Sequence, residues 1–180
     1  RAMRVLVAFG TRPEAIKLAP VIAELRRRRG FDLTVAVTAQ HRELLDQVLD
    51  VFGITADIDL ALMQPSQSLA SLTSRVVLAM DELIEQRQPD LTIVQGDTTS
   101  AFMSALASFY RGVPVVHVEA GLRTSTALNP FPEELNRRLT TVVAALHCAP
   151  TTLAERALVA MGVSPSAIVV TGNTIVDALQ

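Results

Sequence analysis

Short, β-branched apolar runs alternating with longer stretches of helical periodicity constrain this chain more than any other feature. The runs are "RVLVAF" (4–9), "DLTVAV" (32–37), "LTIVQ" (91–95), "VPVVHV" (113–118), "LHCA" (146–149) and "AIVV" (167–170), with a weaker one, "DIDLA", at 57–61. They are continuous rather than alternating, as strands covered on both faces must be. Between them the pattern predicts helices at about 14–29, 42–52, 68–88, 99–111, 133–145 and 152–161. Strand, helix, strand repeated in this way predicts right-handed crossovers and an α/β fold with a doubly wound parallel sheet. The loop "MQPSQS" reads as a plain connection closing on a helix cap, and "TGNTIVDALQ" as the start of another helix. The apolar helix at 68–84 suits either the core or an interface, and core is the stronger reading.

With 180 residues, 49% of them hydrophobic, the chain suits one domain over its whole length. No apolar run approaches the roughly 18 residues that a membrane span needs, so no membrane partner is expected. A net charge of −2, 4% aromatics and no tryptophan argue against nucleic acid, which calls for basic surface and stacking platforms. The single cysteine, Cys148, excludes an internal disulfide, cannot build a metal site alone, and fits the cytoplasm. The expected ligand is small.

In open parallel sheets, ligands sit outside the carboxyl ends of the strands. Those positions hold Arg12 and Lys17 after the first strand and Gln40, His41 and Arg42 after the second. Asp97 follows the strand at 91–95, Glu119 and Arg123 follow the next, and Glu133 and Glu134 open a helix behind Pro132. Each has a plain structural reading. Asp97 could cap the helix at Thr99, a role worth about 1 kcal/mol, and Glu133 and Glu134 suit a helix N-terminus. His117 reads as a residue under the sheet's cover and His147 as a packed strand residue. "GTRPE" lacks the GxGxxG spacing, which argues against a nicotinamide site. Jointly, Asp97, Glu119 and Glu133 with Arg12 and Lys17 suit proton transfer beside a phosphorylated ligand.

Six stretches then occur in order: "GTRPEAIKLAPVI", "TAQHRELLDQVL", "GDTTSA", "HVEAGLRT", "PFPEELNRR" and "TGNTIVDAL". Together they resemble the non-hydrolysing UDP-N-acetylglucosamine 2-epimerases, along nearly the whole chain. The resemblance implies a Rossmann-like N-terminal domain of a GT-B-type two-domain architecture, with the UDP-binding second half outside this chain. It implies interconversion of UDP-GlcNAc and UDP-ManNAc without cofactor or metal. A base removes the C2 proton as UDP leaves C1, and 2-acetamidoglucal is reprotonated on the other face before UDP returns. By resemblance Asp97, Glu119 and Glu133 are the acid–base residues, and Arg12, Lys17, Arg123 and Asn173 bind substrate. An activating second UDP-GlcNAc site would use Gln40, His41, Arg75 and Glu134. Members pair as homodimers through helices of this half.

Two departures stand out. "STALNP" (125–130) replaces an acidic, then aromatic stretch, and Gln95 stands where histidine is common. Both bear on the loop near the sugar. A hydrolysing epimerase that releases UDP and ManNAc and a non-catalytic dimerisation module are the alternatives; the three acids argue against a related glycosyltransferase, because sugar transfer needs one base rather than proton traffic on two faces.

Overall fold

The computed structural model describes residues 1–38 and 42–180. Fourteen elements follow in order: β1 (Met3–Phe9), α1 (Arg12–Arg27), β2 (Phe31–Val37), α2 (Arg42–Val51), β3 (Ile58–Asp59), α3 (Leu69–Arg87), β4 (Leu91–Gln95), α4 (Thr99–Tyr110), β5 (Val115–Val118), α5 (Glu133–Val143), β6 (Leu146–Ala149), α6 (Thr152–Ala160), β7 (Ile168–Val170) and α7 (Ile175–Ala178). The strands form one sheet in the order β3-β2-β1-β4-β5-β6-β7, and each neighbouring pair is parallel.

The continuous apolar runs are explained by cover on both faces. In β1, Val5, Val7 and Phe9 enter a core with α1 and α2 that includes Leu18, Ile22 and Leu45. Leu6 and Ala8, on the opposite face, join Leu72, Val76, Met80 and Met103 of α3 and α4. The helix at 68–84 is therefore core on one side, capped by Ser68, whose hydroxyl accepts from the Ser71 N–H at 3.1 Å.

Several boundaries differ from expectation by a residue or two, and three are notable. Helix α1 starts at Arg12 rather than 14, because a proline in the first turn loses no hydrogen bond and fits the helical φ. Strand β5 starts at Val115 rather than 113, because the Val113 N–H closes the end of α4 on the Ser108 carbonyl. Strand β3 shrinks to two residues. Among the described residues no helix is long and apolar enough to cross a membrane.

The strand order reverses direction between β1 and β4, so the loops that leave these neighbours diverge and open a crevice at the carboxyl edge. Gly10, which leaves β1, has no room for a side chain. A Cβ there would fall 2.2 Å from the Thr38 hydroxyl oxygen and 3.0 Å from that of Ser100.

Candidate active site

The β1–α1 loop is organised by Glu14, which is 2% exposed. One carboxylate oxygen accepts from the N–H groups of Gly10 (3.0 Å) and Thr11 (2.7 Å) and from the Thr11 hydroxyl (2.7 Å). The other accepts from the Thr98 hydroxyl at 2.7 Å, across the crevice. Burial raises its carboxyl above the ordinary value, against the pull of those hydrogen bonds. Glu14 thus ties the loop that carries Arg12 to the loop that carries Asp97.

Arg12 stands exposed in the first turn of α1, with no hydrogen bond or ion pair among the described residues. Lys17, one turn further, reaches both oxygens of Glu119, at 2.8 and 2.7 Å. Asn173 donates its amide to the same carboxylate at 3.1 Å. Glu119 itself has φ +63°, the left-handed region that non-glycine residues avoid. Holding it there costs on the order of 1–3 kcal/mol, a strain found where function demands a particular side-chain direction.

Asp97 follows the adjacent strand, and it does not cap α4. That role belongs to Thr98, whose hydroxyl accepts from the Ala101 N–H at 3.0 Å. One Asp97 oxygen is bound by the Arg137 guanidinium at 2.6 Å, and its backbone carbonyl accepts from the Asn136 amide at 3.0 Å. Beneath the turn, the His117 Nε2–H donates to the Gly96 carbonyl at 2.7 Å. His117 is completely buried, and burial lowers its pKa to about 4, so the ring is neutral and rigid. Glu133 opens α5, one turn before Asn136 and Arg137 and so on the same face of the helix.

Three of the expected site residues therefore meet directly: Lys17, Glu119 and Asn173. Asp97 and Glu133 share their rim of the sheet. Others are placed elsewhere. Arg123 bonds the Thr141 hydroxyl at 2.8 Å and the Met161 sulfur at 2.8 Å, beside α5 and α6, and not the Lys17–Glu119 group. Glu134 is fully buried, with its oxygens taken by Arg137 (2.6 Å) and Arg138 (2.8 Å), so it is an internal counter-ion and presents no free carboxylate to a ligand. Burial opposes its charge, but the Arg138 bond and the field of both arginines prevail and hold the carboxyl below its ordinary value. Arg75 is half-buried on α3, and Gln40 and His41 lie outside the described residues. Sequence reasoning missed Glu14, Asn136 and Arg137. The Thr-x-x-Glu spacing from Thr11 to Glu14 was a usable signal for the first. Among the described residues no group of three or more histidine, cysteine or acidic side chains is arranged to hold a metal.

These features define a class: a Rossmann-like α/β domain whose carboxyl-edge loops carry acids paired with cations, Glu119 with Lys17 and Asp97 with Arg137. The comparisons narrow it. A family profile for UDP-N-acetylglucosamine 2-epimerases matches residues 23–180, and the chain belongs to that family. The chain is 49% identical over 178 residues to the UDP-N-acetylglucosamine 2-epimerase of Neisseria meningitidis serogroup A, covering 99% of this chain and 48% of the relative. It is 50% identical over 180 residues to the Bacillus subtilis enzyme of the same name, covering all of this chain and 47% of the relative. The crystal structure of the N. meningitidis UDP-GlcNAc 2-epimerase bound to UDP-GlcNAc superposes with a TM-score of 0.96 over 98% of this chain and 48% of that one. A likeness to Acinetobacter baumannii MurG, with a TM-score of 0.65 and 15% identity over 95% of this chain and 45% of that one, establishes the shared fold alone. The chain spans about half the length of the curated relatives it matches.

Proposed function

We propose that this chain is the first half of an enzyme that interconverts UDP-GlcNAc and UDP-ManNAc, a cytoplasmic homodimer that needs no cofactor. The observation that carries the reading is the pairing of acids with cations at neighbouring strand ends, Asp97 with Arg137 and Glu119 with Lys17, in a member of this family. Inversion at C2 requires a base on one face of the sugar and an acid on the other. Carboxylates from separate strand ends can flank one ring in that way. The C2 hydrogen is not acidic, so its removal must accompany loss of UDP from C1. The C2–H electron pair becomes the C1–C2 double bond of 2-acetamidoglucal, and the C1–O bond electrons leave with the diphosphate.

Arg12 fits the departing phosphates. It is exposed and without a partner among the described residues, in the first turn of α1, and its guanidinium fork matches phosphate oxygens. Lys17 is committed to Glu119, so its part is shared between the acid and any ligand. An exposed apolar stripe on α5, Leu135, Leu139 and Val142, supports pairing with a second copy, which light scattering across a concentration series tests.

The direct test is to incubate the complete gene product with UDP-GlcNAc in D2O and follow it by NMR. The expected result is UDP-ManNAc carrying deuterium at C2, with UDP retained in the product. Epimerisation without solvent deuterium would overturn the elimination. Release of UDP and free ManNAc would move the assignment to the hydrolysing class.

A further inference from the structure

Arg137 is an arginine with almost no access to solvent: its side chain is 8% exposed. One guanidinium nitrogen binds Asp97 at 2.6 Å, and another binds Glu134 at 2.6 Å and the Leu122 carbonyl at 3.2 Å. It therefore joins the turn after β4, its own helix and the loop after β5. A buried ion pair of this kind adds little net stability over an apolar filling but fixes geometry. Glu134 supplies the fixed point. It is completely buried, and it also holds Arg138, which donates to the Thr124 carbonyl at 3.1 Å in the loop after β5.

What this arrangement controls is Asp97. Of the two carboxylate oxygens, only Oδ2 has a partner among the described residues, and the side chain is 31% exposed. The backbone on either side of its Cα is also held, by Asn136 at the Asp97 carbonyl and by His117 at the Gly96 carbonyl. We infer that Arg137 is a positioning residue for the reaction proposed above: it acts through Asp97, clamping one carboxylate oxygen so that the other is aimed at the substrate, and Glu134 aims the guanidinium in turn. The inference rests on that functional reading only for its kinetic consequence; the clamp itself is a claim about geometry.

Steady-state kinetics of the complete gene product test the first part. Arg137→Gln should lower kcat about 30-fold or more, with KM for UDP-GlcNAc changed less than about threefold, as expected when a transition-state contact is misaligned. Arg137→Lys, which can keep one bond to Asp97, should recover part of the loss. In an Asp97→Asn background, Arg137→Gln should add less than about a threefold further loss, because groups that act as a unit are not additive. A raised KM with intact kcat, or losses that multiply, would show that Arg137 meets substrate itself and would overturn the inference.

A crystal structure of the Arg137→Gln variant reads the clamp without turnover. Asp97 should leave its rotamer, and an unmoved carboxylate overturns the inference whatever the reaction is. A parent enzyme without epimerase activity would sink the functional reading and leave this structural test standing. If Arg137→Gln does not unfold cooperatively, Arg137→Lys carries both measurements.

Discussion

Lys17 holds both oxygens of Glu119, at 2.8 and 2.7 Å, and so ties the second turn of α1 to the residue that follows β5 in a left-handed conformation. The two side chains are 25% and 11% exposed, well inside the range where removing one partner leaves the other poorly solvated. Glu119→Gln should therefore lower turnover of the complete enzyme by at least about a hundredfold, the scale of a lost acid–base group. Asp97→Asn and Glu133→Gln should fall as far. Near-parental kcat in any one of the three removes that residue from the chemistry.

Glu14 permits a sharper distinction between charge and shape. Its Oε2 accepts from two backbone N–H groups, which a glutamine carbonyl can replace, and its Oε1 faces the Thr98 hydroxyl, which a glutamine amide can meet as donor. Burial already disfavours the charged form. Glu14→Gln should cost about 1 kcal/mol or less. Glu14→Ala strands buried donors and should cost about 3 kcal/mol. Urea denaturation of both variants checks the order, and equal losses would mean that the charge itself is required.

The sheet was legible in the sequence because cover on both faces imprints a local signal. Apart from the two-residue β3, the strands read as largely apolar runs, and α1, α2, α4 and α6 are each followed within three residues by a glycine. The placement of Asp97, Glu119 and Glu133 on one rim followed from topology alone. What the sequence did not reveal were contacts between distant residues. Arg137 lies 40 positions from Asp97, and Thr98 lies 84 from Glu14. No spacing rule links such pairs. Nor does anything local show that Arg123, five residues past the end of β5, turns towards Met161, the C-cap of α6. Glu134 resembles its neighbour Glu133 in sequence, yet one helical step of about 100° carries it from the rim into the interior.

Gly121 offers a test of packing beside the site. Its φ is +90°, and a Cβ there would lie 2.4 Å from the Ala154 carbonyl oxygen, a backbone atom that cannot step aside. Gly121→Ala combines that clash with an unfavourable φ and should destabilise the fold by about 2–4 kcal/mol. The shift should appear as a lower Tm, accompanied by loss of activity because Glu119 is two residues away. A Tm within about 2 °C of the parent would mean that α6 can move.

His117 makes the fold sensitive to acid, and the sign can be worked out. Burial is the main cause of its low value of about 4, with His147 and Arg123 adding like-charge repulsion against the Gly96 hydrogen bond. An unfolded histidine titrates near 6.5. Between those values the unfolded chain binds more protons, so stability is fully present above about pH 6.5 and is lost as pH falls towards 4. The loss amounts to about 3 kcal/mol at most. His147, paired with His117 in register on β6 and also held low by burial, acts in the same direction. Glu14, with a raised pKa, acts in the opposite direction, so the informative quantity is the difference between parent and His117→Gln. The glutamine amide can still donate to the Gly96 carbonyl but cannot titrate. Urea midpoints of the 180-residue chain between pH 4 and 7 should fall more steeply for the parent than for the variant. Parallel curves would mean that His117 stays neutral in the unfolded chain too, or is protonated in the fold.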